Sequence, residues 1–108
     1  MFEETVRDLY ELLRNGKYEE IVQITGGVRL SSNEIKYAIS EYGRRLAPYP
    51  KTIDLDVIEV TGSDPKKWSV VAPVFTEEEG LSDLNIELTI IDDGHPNLKI
   101  EFDDLHVL

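Results

Sequence analysis

Apolar residues recur with two different periods along the chain, and the period changes near residue 54. Up to about residue 47 they are three or four positions apart, which is typical of the buried side of an amphipathic helix. From residue 54 they alternate with polar residues, which is typical of a strand with one buried face. Helices followed by a run of short strands predict one α+β domain over residues 1–108, helical at 1–47 and an antiparallel sheet at 54–108.

The amino-terminal part predicts two to three helices. The first has Phe2, Val6, Leu9 and Leu13 on one face, and Asn15-Gly16 should end it, because glycine takes the left-handed conformation of a helix end without strain. A second helix is expected at about residues 18–25.

A capping box predicts where the third helix begins. Ser31 and Glu34 have the spacing in which each side chain accepts a hydrogen bond from the backbone of the other. The apolar face that follows begins at Ile35 and includes Leu46. We expect this helix to end before Pro48, because proline cannot continue a helix.

The alternating part predicts four strands, at about residues 55–61, 68–76, 83–92 and 98–108. We expect the helices to pack on one face of this four-stranded antiparallel sheet. Pro73 indicates an edge position or a bulge in the second strand, because proline donates no hydrogen bond to a neighbour. In the fourth strand, Leu98 and Val107 should face inward, and the alternation slips at Asp103-Asp104, which indicates another bulge.

Charge is distributed unevenly over the 108 residues. The net charge is −11; residues 1–50 carry −1 and residues 51–108 carry −10. A surface of this sign repels nucleic acid and anionic membranes, so we expect neither as a partner. There is no cysteine, which excludes disulfides, thiolate zinc sites and a thiol nucleophile, and is compatible with a cytoplasmic location. The amino terminus is acidic and does not resemble a secretory signal.

The segment from Thr76 to Gly94 contains seven carboxylates and no basic side chain. Together with the acids of the last strand, it predicts a surface that binds a basic protein. The predicted partner-binding residues are Glu77, Glu78, Glu79, Asp83, Glu87, Asp103 and Asp104.

Few residues indicate catalysis. The two histidines, His95 and His106, each follow a pair of aspartates, an arrangement that could ligate a metal or supply a base. No third ligand or nucleophile is placed by spacing, so we interpret His95 as a turn residue and His106 as part of a terminal strand. We therefore predict no catalytic residue, no cofactor and no metal.

Three resemblances add to this interpretation. The opening VRDLYELLRNGKYEEIVQI resembles the first two helices of the cystatin-like superfold, which includes nuclear transport factor two-like and ketosteroid isomerase-like proteins. Blocks such as VRLSSNEIKYAISEYGR and TEEEGLSDLNIELTI are similar to a small uncharacterised bacterial family. In size, acidity and lack of cysteine the chain is similar to bacterial immunity proteins, which neutralise a toxin by binding it.

The function we predict is that of an acidic protein-binding module, specifically an immunity-type inhibitor of a basic toxin domain such as a nuclease. Two alternatives stay open. The resemblance to the cystatin-like superfold implies a small enzyme or ligand binder with a polar pocket under the sheet. A homodimer could instead use the sheet face as its interface, through Trp68, Val71, Phe75 and Ile91.

Overall fold

The computed structural model of the protein describes residues 2–107, in which three helices precede four strands. The helices are α1 (Glu3–Arg14), α2 (Tyr18–Thr25) and α3 (Ser32–Tyr42), and the strands are β1 (Asp56–Glu59), β2 (Lys66–Thr76), β3 (Gly80–Asp92) and β4 (Lys99–Val107). The strands form one antiparallel sheet in the order β1-β2-β3-β4. The predicted α+β layout is confirmed. No helix in the described part is long and apolar enough to cross a membrane.

The predicted capping box opens α3. The Glu34 amide donates to the Ser31 hydroxyl over 3.2 Å, and the Ser31 amide donates to the Glu34 carboxylate over 3.1 Å. The helix ends at Tyr42, because Gly43 takes a left-handed φ of 70°. The prediction that this helix continues through Leu46 is therefore wrong. Leu46 is buried instead as an antiparallel bridge partner of Thr76, in a linker (residues 44–55) that lies alongside β2.

The hydrophobic core lies between the helices and one face of the sheet. Every second residue of β2 and β3 points into it, as the alternation predicts, and the fully buried ones are Val70, Ala72, Val74, Ile86, Leu88 and Ile90. The helices contribute Val6, Leu9, Tyr10 and Leu13 from α1, Ile21 from α2 and Ile35 from α3. All three helices therefore cover the same face of the sheet.

Two tyrosines join α1 and the linker to β2. The rings of Tyr10 and Tyr49 are stacked with 3.5 Å between their centroids. The Tyr10 hydroxyl lies 2.5 Å from the carbonyl oxygen of Ala47 and 2.9 Å from that of Phe75, and the Tyr49 hydroxyl donates to the Pro73 carbonyl over 2.6 Å. Burial raises the pKa of Tyr10 to about 12 and also raises the pKa of Tyr49, so both phenols remain protonated donors at neutral pH.

Both predicted bulges are present. The β2–β3 register shifts between Pro73 and Phe75, just beyond the last β2 residue that pairs with β1. In β4, Asp104 pairs with Glu87 while Phe102 pairs with Leu88, so Asp103 is the extra residue. This insertion reverses the alternation and allows both Phe102 and Leu105 to be buried.

The ends of β4 differ from the prediction. Leu98 and Val107, both predicted to face inward, are 36% and 53% exposed, although Val107 does lie on the inner side of β4, opposite the core residue Leu84. Leu98 precedes the first residue of β4, and Val107 is its last. Only the stretch from Ile100 to Leu105 contributes side chains to the core.

Candidate protein-binding surface

The sheet has a second face that the helices do not cover, which we call the outer face. Cross-strand pairing and the Val60–Lys67 hydrogen bond arrange most of its residues in three rows that cross all four strands, and a shorter row beyond them contains Pro73, Asn85 and His106. Taken from β1 to β4, the rows are Asp56, Val71, Glu87 and Asp104; then Ile58, Ser69, Thr89 and Glu101; then Val60, Lys67, Ile91 and Lys99. Negative charge is concentrated at one end of the outer face and the two lysines lie at the other.

The acidic row consists of Asp56, Glu87 and Asp104. Successive rows are two residues apart, so the lysine row lies roughly 13 Å away at about 3.3 Å per residue. In residues 2–107 no lysine or arginine forms an ion pair with these three acids. Like charges directly opposite each other on neighbouring strands are destabilising, and within residues 2–107 the one basic side chain that lies beside both Glu87 and Asp104 is that of His106.

His106 completes a compact cluster with Glu87 and Asp104. Its Nδ1 atom lies 2.7 Å from Asp104 Oδ2 and 3.5 Å from Glu87 Oε2. The atom is buried, yet neither contact has hydrogen-bond geometry. Among residues 2–107 this is the one group of three whose ligand atoms all lie within 4.8 Å of one another, so it is the arrangement able to hold a metal ion.

Asp103 belongs to the same region but is tied into the sheet. The Thr89 hydroxyl donates to Asp103 Oδ2 over 2.6 Å, and Arg29 Nε lies 3.9 Å from Oδ1. Burial raises the pKa of Asp103, while the Thr89 hydrogen bond and the Arg29 charge act in the opposite direction. Asp103 is thus less available to a partner than Asp104.

The hairpin tip, Glu77, Glu78 and Glu79, forms a separate acidic group. Its carboxylates contact the end of α3 and the chain that follows it. Glu79 accepts from the hydroxyl of Tyr42, the last residue of α3, over 2.9 Å, and Glu78 accepts from the Arg45 amide over 3.1 Å. Arg45 also lies 3.7 Å from Glu77, and Arg44 lies 4.0 Å from Glu79. These acids hold the hairpin against the end of α3 and the linker.

The seven acids predicted as one surface therefore fall into two groups. Glu87 and Asp104 are direct neighbours with Asp103 beside them. The hairpin tip lies eight or more residues from Glu87 in the direction of β3, roughly 26 Å away. Asp83 is exposed between the two groups. The predicted partner-binding residues did not include Asp56 or His106, because the proximity of these two residues to Glu87 depends on the strand register.

An open groove of about 480 Å³ lies between α3 and β4. Its lining is mainly apolar, through Leu30, Ala38 and Leu105, and it includes Tyr37 and Asp104. Asp104 thus borders both this groove and the acidic row.

Two of the four residues predicted for a homodimer interface are buried within the single chain. Trp68 is buried on the core face of the sheet, with its ring 5.2 Å from that of Phe2 in an edge contact. Ile91 lies on the outer face, but it is also buried within the single chain. Neither has surface to offer to a second copy.

Comparison with known proteins identifies a family model that matches most of the chain. No curated protein and no solved structure matches the chain. The family model described as a domain of unknown function, DUF7668, matches residues 10–108, which includes all four strands and most of the helical part. The chain therefore belongs to the DUF7668 family.

Proposed function

We propose that this protein is a binding domain that docks a basic partner protein on its acidic row. The observation that supports this is the row itself: three carboxylates on three strands of one rigid sheet, without an arginine or lysine ion pair in residues 2–107. Complementary charge of this kind steers the encounter of two proteins and raises the association rate.

The specific form of the proposal is an immunity-type inhibitor that acts in the cytoplasm of a bacterium. A toxin that cleaves nucleic acid needs a basic active site to hold phosphate, and fixed carboxylates are able to occupy such a site in place of phosphate. A row built on a sheet is already ordered before binding, so little conformational entropy is lost when the complex forms.

The test uses a basic protein domain encoded next to this protein in its source genome. Affinity is measured by calorimetry at about 50 and 300 mM salt, where the screening length falls from roughly 14 to 6 Å, with EDTA present throughout. We expect the double variant Glu87→Gln, Asp104→Asn to bind at least about tenfold more weakly at low salt.

The matched control is Asp92→Asn with Asp93→Asn. It also removes two negative charges, one from the last residue of β3 and one from the turn that follows. Each of these side chains accepts a backbone hydrogen bond that an amide oxygen can still accept. This control should bind within about threefold of the wild type, because distant exposed charges are screened. Equal losses in the two double variants would show a general charge effect. A greater loss when Glu77, Glu78 and Glu79 are changed to Gln would contradict docking on the acidic row.

A further inference from the structure

We propose that Glu87, Asp104 and His106 form a binding site for a divalent transition-metal ion such as Zn²⁺. Metal–ligand bonds of about 2.1 Å place neighbouring ligand atoms about 3.0 Å apart in an octahedral site and about 3.4 Å apart in a tetrahedral one. The distances from His106 Nδ1 to the two carboxylates, 2.7 and 3.5 Å, span these values. The Glu87 and Asp104 carboxylate oxygens also lie within 4.8 Å of each other, so small side-chain movements would bring all three ligand atoms to the positions that one shared ion requires.

The environment of His106 Nδ1 also favours a bound metal ion. The atom is buried and has no hydrogen bond, although two carboxylates lie beside it. An unprotonated Nδ1 directs its lone pair at the two carboxylate oxygens, and a cation bound among the three atoms would offset their mutual repulsion. Buried polar atoms in native proteins are satisfied almost without exception, and a metal ion satisfies all three of these atoms together.

The bulge in β4 creates this arrangement. Strict alternation from Phe102 would place residue 104 toward the core, but the extra residue Asp103 turns both Asp104 and His106 to the outer face. Glu87 lies directly opposite Asp104 on the neighbouring strand. The ligands are therefore held by a paired section of the sheet, and three protein ligands leave further coordination positions open to water or another molecule.

The ligand set predicts which ions bind. Imidazole nitrogen favours zinc and other late first-row ions, whereas Mg²⁺ and Ca²⁺ favour oxygen ligands alone and higher coordination numbers. One nitrogen and two carboxylates should therefore select Zn²⁺ over Mg²⁺ and Ca²⁺. A diffuse attraction of cations to acidic residues would show no such preference.

Calorimetric titration of untagged, EDTA-treated and dialysed protein with zinc chloride tests the site. We expect one ion per chain, and a loss of affinity of at least about tenfold in His106→Gln and in Glu87→Gln. The control is His95→Gln, which removes the other histidine, also preceded by two aspartates, and should leave zinc affinity unchanged. Circular dichroism confirms that each variant is folded, and the ring resonances of His106, not those of His95, should shift with zinc in NMR spectra.

Three results would overturn the site: no saturable one-to-one zinc binding, His106→Gln binding zinc as the wild type does, or Mg²⁺ and Ca²⁺ binding as tightly as zinc. This titration contains no partner protein, and the partner titration contains EDTA. Failure of the metal site and failure of the proposed function are therefore distinguishable.

Discussion

At the residue scale, Tyr10 connects segments that are distant in sequence. Its hydroxyl contacts the carbonyl oxygens of Ala47 and Phe75, 37 and 65 positions further along the chain. Tyr10 lies four positions after Val6 and three before Leu13 on the apolar side of α1, and it is fully buried in the core. The two carbonyl partners were not predictable, because they depend on the path of the linker beside β2.

We predict that Tyr10→Phe lowers the free energy of unfolding by about 1–3 kcal/mol, since the buried carbonyls lose their donor. Urea denaturation measures the change. The matched control is Tyr37→Phe, in which the same atom is removed from a residue that is 66% exposed, and it should change stability by less than about 0.5 kcal/mol. Equal effects in the two variants would mean that the Tyr10 hydrogen bonds contribute nothing to stability.

The same variant tests the pKa of Tyr10. An ordinary tyrosine ionises near pH 10 in the unfolded chain, whereas the folded chain holds this phenol protonated to about pH 12. Between these values the unfolded state binds fewer protons, so the stability of the wild type falls as the pH rises through this window. Tyr10→Phe has no phenol that could ionise at this position. Its free energy of unfolding should therefore fall less steeply as the pH rises. Parallel curves for the two proteins would contradict a raised pKa.

At the element scale, the start of α3 depends on a local signal. We predict that Ser31→Ala lowers stability by about 1 kcal/mol, because the amide of Glu34 loses its acceptor. Ser40→Ala, an exposed change inside the same helix, is the control and should be neutral or slightly stabilising, since alanine has the higher helix propensity. Thermal denaturation of both variants gives the comparison, and an unchanged melting temperature for Ser31→Ala would rule out a stabilising cap.

Predicting elements from sequence worked where the signal is local. The capping box, the alternation in β2 and β3 and both bulges depend on residues within one element, and all are present. The end of α3 was missed because Leu46 has helical spacing from Tyr42. Gly43 ends the helix first, and Leu46 is buried instead beside Thr76, a residue 30 positions away.

At the scale of the whole molecule, the position of the acids on the surface depends on register. Glu87 and Asp104 are 17 residues apart in sequence, and a shift of one residue in either strand would place one of them on the other face. The sequence predicted that both are outward but not that they are opposite each other. It also did not predict that Arg44 and Arg45 contact the hairpin tip, because the linker was expected to be helical there.

The net charge of −11 and the paired carboxylates of the acidic row lead to a prediction about salt. Repulsion among like charges destabilises the folded chain, and it is screened when the Debye length falls from about 30 Å at 10 mM to roughly 4 Å at 500 mM sodium chloride. We expect the melting temperature of the wild type, measured with EDTA present, to rise over this range.

Comparing variants at low salt separates the acidic row from net charge. Glu87→Gln with Asp104→Asn should raise the melting temperature more than Asp92→Asn with Asp93→Asn does, because only the first pair removes carboxylates that lie directly opposite each other. The melting temperature of the Glu87→Gln, Asp104→Asn variant should also rise less with added salt than that of the wild type does. Equal effects in the two double variants would assign the repulsion to total charge alone. A wild-type melting temperature that falls with salt would show that the ion pairs of the hairpin tip outweigh this repulsion. If Glu87→Gln with Asp104→Asn also leaves the melting temperature unchanged or lowers it, the acidic row has no measurable cost to folding, and the argument that its carboxylates are placed for binding loses its physical basis.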